Sequence, residues 1–328
     1  MDKILLSHGS GGLLTKKIID EIIVEKLKNN ILEELNDSAI LNISTQKICF
    51  TTDSYVVNPI FFPGGDIGSL AVYGTVNDLS VSGAKPLYLS LSFIIEEGFL
   101  KKDFIKIVES ISNACKKANV KIVTGDTKVV PKGKGDKIYI NTSGIGIYSY
   151  SKNLSPKEIA PGDIIILNGS IAEHGLAVLL SRENLGIEAD INSDSQPLNI
   201  EIEKILKNTE NVKCMRDATR GGIGTILKEL AMESKMDFEI YEDKIPIQPQ
   251  VKGVCEILGF DPLYIANEGK FVIIAHKNEQ DAILKHLKNG VLIGCVKSKG
   301  EGRVYLKTKI GGIRELDIPS GELIPRIC

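Results

Sequence analysis

Apolar positions change period repeatedly along this chain, and each change marks an element. In "LLTKKIIDEIIVEKLKN" Leu14, Ile18 and Ile22 recur at helical spacing, directly after the glycine-rich "HGSGG", so a glycine loop feeding a helix is expected. "AILNIS" and "KICFTTDSYVV" are rich in β-branched and aromatic residues and read as strands. A helix of small residues, "DIGSLAVYGTVNDLSVSGAKP", and the strand "YLSLSFII" follow. In "DFIKIVESISNACKKANV" Phe104, Val108, Ile111, Cys115 and Ala118 form one stripe of an amphipathic helix. The strands "KIVTGDTKVV" and "IYINTSGIGIYS" close this half, and the loop between them, "PKGKGDK", reads as exposed and mobile, more readily a solvated turn than a catalytic lid.

The segment "SPKEIAPGD", residues 155–163, interrupts both rhythms with two prolines and a Pro-Gly turn and marks a boundary. Beyond it come a buried strand "IIILNG", a helix through "AEHGLAVLLSREN", the segment "MRDATRGGIGTILKELAMES" and the strands "FEIYE", "KFVIIAH", "VLIGCV" and "RVYLKT". The polar, turn-rich insert "IEADINSDSQPL" is expected at the surface. From Leu316 onward Pro319, Gly321 and Pro325 exclude a continuous helix and favour an extended tail. The pattern predicts an α/β protein of two mixed domains, residues 1–154 and 155–315, with a mobile tail over 316–328 that ends on Cys328. Strands and helices do not alternate strictly enough for one doubly wound sheet.

A chain of 328 residues, 43% hydrophobic and 25% charged, is long enough for two buried cores. Its 40 Lys and Arg against 42 Asp and Glu create no field that would draw nucleic acid or anionic lipid, so neither is expected as a partner. No apolar run approaches the roughly 20 residues of a membrane span, and "MDKILLSHGSGG" lacks the apolar core of a signal peptide, so a cytoplasmic protein is expected. The six Cys are scattered without a CxxC pair and the four His are dispersed, which leaves a zinc site without spacing to support it.

Asp53 in "TTDSY", Asp78 in "TVNDLS", Asp126 in "TGDTKVV" and Asp217 in "MRDATRGG" stand at ends of apolar elements among small neighbours. Each alone reads more readily as a cap or turn former, but the four together suit Mg²⁺, which keeps several waters and bridges phosphates. Gly74, Asn77 and Asp78 share a helix face of little bulk, where a phosphate or a second backbone could approach; close packing would also explain Gly74. "HGSGG" and "RGG" are glycine-rich loops at helix starts, which favour anions, but neither a P-loop nor a G-x-G-x-x-G occurs. Lys128 follows Asp126 by two and shares its strand face, a cation suited to charge developing in phosphoryl transfer. Glu268 in "IANEGKF" is a general base if partly buried and otherwise a solvated turn carboxylate.

Taken in order, "HGSGG", "TTDSYVV", "GTVNDLSVSGAKPLYLS", "VTGDTKVV", "INTSGIG", "RDATRGG", "NEGKF" and the terminal "PRIC" resemble the HypE family of hydrogenase maturation factors, within the PurM-like (aminoimidazole ribonucleotide synthetase-like) ATP-dependent enzymes. The internal motifs belong to the superfamily, and "PRIC" singles out HypE. The resemblance implies a PurM-like N-terminal domain that dimerises through its sheet and a cleft between domains that takes ATP with Mg²⁺. It implies ATP-dependent dehydration of a carbamoyl group on Cys328 to a thiocyanate, with HypF as carbamoyl donor and the HypC–HypD iron scaffold as acceptor of cyanide. It assigns Cys328, Lys128 and Glu268 to the chemistry, and Asp53, Asp78, Asp126, Thr127, Asn141, Asp217, Gly221 and Gly222 to nucleotide, the four Asp also to metal. Arg326 or a cation in the partner's site would help the thiol ionise. Ser10 departs from the purer glycine run frequent in the family. Other readings keep the nucleotide site for aminoimidazole ribonucleotide, selenide or thiamine phosphate, or keep the fold as scaffold for a non-enzymatic thiol carrier. The first Cys, Cys49, lies in an expected strand and not in the N-terminal loop, which argues against selenium chemistry.

Overall fold

The computed structural model describes residues 12, 13, 16, 39–43, 46–183, 185–321 and 324–328. His8, Ser10 and, apart from Leu13 and Lys16, the helix expected over 13–29 lie outside the described residues.

The first half builds a five-stranded sheet in the order β1-β2-β7-β5-β6 from Ala39–Ile43 (β1), Gln46–Tyr55 (β2), Ala84–Glu96 (β5), Lys121–Val130 (β6) and Ile138–Tyr148 (β7). A two-stranded ribbon, Phe61–Phe62 (β3) with Gly65–Asp66 (β4), leads into helix α1, Ile67–Val81. Asp66 caps that helix, its carboxylate accepting from the Gly68 and Ser69 N–H groups. Helix α2, Lys101–Ala118, lies beside α1 against the sheet and buries Ile107, Ile111, Ala114, Cys115 and Ala118. The expected stripe is thus rotated slightly: Ile107 takes the place of Val108, which is exposed, because a residue three positions after Phe104 lies as close to its face as one four after.

Helix α1 is buried on nearly every side, since it is pressed between the first sheet and the second half, touching the strand Val212–Asp217 (β9) and the helix Asn199–Asn208 (α4). Its small residues have that packing as their cause. A Cβ on Gly74 would stand 2.3 Å from the Tyr55 hydroxyl. Asn77 donates to the Gln196 carbonyl and accepts from the Leu198 N–H at 2.8 Å.

The second half forms a seven-stranded sheet, β14-β13-β10-β12-β8-β11-β9. Its central strands, Ile164–Leu167 (β8) and Phe271–Ala275 (β11), are buried on both faces, which is why they read as unbroken apolar runs. Ile165, Leu167, Val272 and Ile274 pack toward helices Glu173–Arg182 (α3), Gly222–Ser234 (α5) and Pro249–Leu258 (α6). Ile164, Ile166, Phe271 and Ile273 pack toward α4 and Gln280–His286 (α7). The remaining strands are Val212–Asp217 (β9), Met236–Tyr241 (β10), Val291–Lys299 (β12), Val304–Lys307 (β13) and Ile313–Leu316 (β14).

The insert expected at the surface is in fact a strap between the halves. Ser193 N–H donates to the Pro63 carbonyl at 2.8 Å, and the strap's far end is held by Asn77. Its polar residues satisfy buried backbone groups, a use that composition does not distinguish from solvation.

Candidate functional site

The tail is docked. Its last residues lie beside the end of β2, bending at the left-handed Arg326 (φ 50°), where Val56 N–H donates to the Cys328 carbonyl at 3.0 Å and Asn58 N–H to the Arg326 carbonyl at 3.2 Å. Ile327, 2% exposed, fills an apolar space shared by Tyr55 and Val57 of the first half and Val178 and Ala266 of the second. Arg326 donates to the Val56 carbonyl and to the Asp136 carboxylate of the "PKGKGDK" loop, away from the thiol. That loop is largely exposed, as expected, and is tied to the tail at this one point.

Docking carries the Cys328 sulfur into a charged cluster. Glu268, Asp53 and Asp217 repel a thiolate there and Arg220 attracts one. Burial dominates, with these charges added, and pushes the thiol up to about 12. The docked sulfur is therefore protonated at neutral pH. The same groups act on one another. Burial, reinforced by Asp217, Asp194 and Asp53 and opposed by Arg220, holds Glu268 well above the usual carboxylate range. Burial likewise raises Asp53, against the Ser54 N–H and Arg220. The Tyr55 phenol between them, raised by burial and by Asp53, Asp78 and Glu268, stays neutral. Asp78 accepts from Thr51 Oγ1 at 3.0 Å. Glu268 is 3% exposed, with Oε1 lacking a hydrogen-bond partner.

Local backbone explains the glycines. Gly221 and Gly222 have φ of 79° and 61°, and a Cβ on Gly222 would lie 2.4 Å from the Leu263 carbonyl oxygen, so only glycine fits. These two left-handed residues start α5 directly after Arg220, with no capping side chain. The helix start borders a small pocket of about 30 Å³ lined by Arg220, Gly221, Thr225, Tyr264, Ile324 and Ile327, where the Arg220 cation and the free N–H groups favour an anion.

Asp126, Thr127, Lys128 and Asn141 are not brought to this cluster within the chain. Asp126 and Lys128 pair at 2.7 Å on the exposed edge strand β6. Asn141 lies on the sheet face opposite α1, bonded to Ser54 Oγ at 2.9 Å and the Asp53 carbonyl at 2.8 Å, while the Asp53 side chain points to the α1 side. The four Asp therefore divide into Asp53, Asp78 and Asp217 around one space and Asp126 apart. Among the described residues no group of three or more His, Cys, Asp or Glu could hold a metal unaided. The three clustered carboxylates still fit Mg²⁺, which takes one or two protein oxygens and completes its shell with phosphate and water.

Three residues of the site escape a sequence reading. Arg220 lies inside a noted motif, and its place before two left-handed glycines is a signal that could have found it. Asp194, buried in the strap, accepts from Glu268 N–H at 3.2 Å and Gly269 N–H at 3.1 Å and pairs with Lys270 at 3.3 Å. His174, fully buried, touches the tail itself. Neither of these last two carries a local signal.

Comparison with known proteins places these features in context. Residues 35–148 match the AIR synthase related protein N-terminal domain and residues 160–307 its C-terminal domain. The chain is 44% identical over 327 residues to the carbamoyl dehydratase HypE of Azotobacter vinelandii, covering 98% of this chain and 96% of that protein. A crystal structure of a HypE–HypF complex contains a chain that superposes with a TM-score of 0.87 at 44% identity, covering 92% of this chain and 99% of that one. A crystal structure of the hydrogenase maturation protein HypE in complex with ATP superposes with a TM-score of 0.83 at 42% identity, covering 99% and 100%.

Proposed function

The chain belongs to the carbamoyl dehydratase HypE family within the AIR synthase related proteins, and from that membership we propose that it is an ATP-dependent carbamoyl dehydratase of hydrogenase maturation whose substrate is its own Cys328. The observation that carries the reading is the docked tail, which brings the terminal sulfur among Glu268, Asp53, Asp217 and Arg220.

The chemistry follows from what must leave. In S-carbamoyl cysteine the amide oxygen attacks the γ-phosphorus of ATP, a C–O–P link forms and ADP departs. One N–H proton passes to water as the neutral C(=NH)–O–P link is completed; Glu268 takes the remaining N–H proton as the C–O bond breaks, phosphate leaves with the oxygen, and S–C≡N remains. Burial makes the ionised Glu268 a stronger base than a solvated carboxylate. Arg220 and the start of α5 hold anionic groups, and Asp53, Asp78 and Asp217 would hold Mg²⁺, which would neutralise phosphate charge when bound. The thiocyanate then supplies the cyanide ligand of a [NiFe] hydrogenase iron through the HypC–HypD scaffold. HypF loads the carbamoyl group, for which the tail must leave its seat. Six free thiols suit the reducing cytoplasm.

Asp126, Thr127, Lys128 and Asn141 enter the scheme through a second copy. The first sheet carries α1 and α2 on one face, while Phe50, Tyr88, Ile94 and Ile145 are exposed on the other and β6 is an exposed edge. A homodimer pairing these faces brings Lys128 of one copy to the phosphoryl or carbamoyl oxygen held by the other.

Intact mass spectrometry after incubation with HypF, carbamoyl phosphate and ATP tests the reading. Wild type gains the carbamoyl mass and then loses water, Cys328→Ala gains nothing, and Glu268→Gln stops at the carbamoyl adduct. Equal loss of both steps in Glu268→Gln refutes the base assignment.

A further inference from the structure

The last four carbonyls of the tail are gripped from two sides. Those of Arg326 and Cys328 accept from Asn58 and Val56 N–H on the β2 side. Those of Pro325 and Ile327, on either side of the left-handed Arg326 (φ 50°), meet side chains of one helix instead. Arg182 Nη1 donates to Pro325 O at 2.5 Å and His174 Nε2 to Ile327 O at 2.8 Å. Residues 174 and 182 are eight apart, on one stripe of α3.

We propose that His174, with Arg182, is a clamp that sets the register of the tail and so positions the Cys328 sulfur for dehydration. A carbonyl only accepts, so His174 carries its proton on Nε2, and Nδ1 takes a hydrogen bond from Ser193 Oγ at 2.8 Å. Phe62 meets the ring edge-on, centroids 5.4 Å apart, which fixes its plane. Burial lowers the ring's pKa and keeps it neutral. The clamp reads backbone, not side chains. It thus measures how far along the tail the sulfur stands, and a one-residue slip would carry the sulfur away from Glu268. Ser193 and Asp194 are adjacent in the strap, so one segment orients the clamp and braces the backbone of the base. His174 acts through the tail and is a positioning residue.

The inference rests on the dehydratase reading, so its test uses a readout that does not need the reaction. Cys328 alkylation by iodoacetamide is followed by peptide mass spectrometry in the full-length protein, with the half-buried Cys295 as internal reference. Compared with wild type, His174→Leu and Arg182→Ala raise Cys328 alkylation about tenfold, leave Cys295 alkylation and nucleotide-dependent thermal stabilisation intact, and slow thiocyanate formation while HypF still carbamoylates the tail. His174→Gln, whose amide N–H can reach the same carbonyl, restores protection. Unchanged Cys328 alkylation in folded His174→Leu and Arg182→Ala overturns the clamp, as does a folded His174→Gln that behaves like His174→Leu. Absence of thiocyanate in wild type would instead strike the dehydratase reading and leave the alkylation comparison readable.

Discussion

Glu268 shows how a single residue changes meaning on folding. In sequence it is a turn carboxylate; in the fold it is nearly sealed from water beside Asp217, Asp194 and Asp53. A native pKa raised above the unfolded value means that the fold favours the protonated form. Its cost to stability is absent below about 4.5 and grows as pH rises from there toward the raised native value. Glu268→Gln should therefore be more stable than wild type at neutral pH and melt at a higher temperature, and the two proteins should converge as the pH of a thermal-denaturation series falls toward 4.5. If Glu268 is the base proposed above, activity should run the other way, since a base works only when ionised: wild-type dehydration falls as pH drops through the raised pKa. Arg326, the tail cation nearest the thiol in sequence, is spent on Val56 and Asp136, whereas Arg220, 108 positions before Cys328, faces the sulfur. The direction of a side chain at the chain's end is decided by what it docks against.

Helix α1 and the strap are instructive as elements. The lack of bulk along Gly74 and Asn77 is legible in sequence, but two readings of it remained, ligand approach or packing. The structure assigns both positions to packing: Gly74 to the Tyr55 hydroxyl and Asn77 to the strap backbone. Gly74→Ala should cost about 1–3 kcal/mol and lower the melting temperature by roughly 3–10 °C, because Tyr55 is fully buried and bonded to Thr75 and has nowhere to retreat. A calorimetric scan checks it, and an unchanged melting temperature would show that the helix shifts freely. The strap, by contrast, reads as surface in sequence and is an inter-half tether in the fold. Serine, aspartate and glutamine are equally at home in water and against unsatisfied backbone, and only the approach of Pro63, Asn77 and Glu268 from distant parts of the chain separates the two.

For the whole molecule, two sheets trap α1 between them and the tail plugs the seam with Ile327. The residues left outside this arrangement have a common address: Asp126 and Lys128 lie on an edge strand whose Val123 and Val129 are also exposed, a surface that invites pairing. If two copies share each site, Lys128→Ala and Glu268→Gln should each be inactive alone, yet mixed and re-equilibrated subunits should regain up to about a quarter of wild-type activity per site pool, since one site type in the heterodimer is intact. Steady-state thiocyanate formation in a titration of the two variants decides this, and no recovery would place Lys128 in its own subunit's site. Local regularities determined the strands, the helix at Lys101–Ala118 and the glycine-rich helix start at 221 and 222, because periodicity and backbone freedom are properties of short stretches, and the ordered motifs ending in "PRIC" carried the resemblance that implies the chemistry. Tertiary structure alone decided that Asp53, Asp78, Asp217, Glu268, Arg220 and Cys328 share one space while Asp126 does not, and that His174 holds the tail. Burial, the charges that accumulate in it and the register of a docked strand are set by contacts between residues far apart in sequence, which no local pattern records.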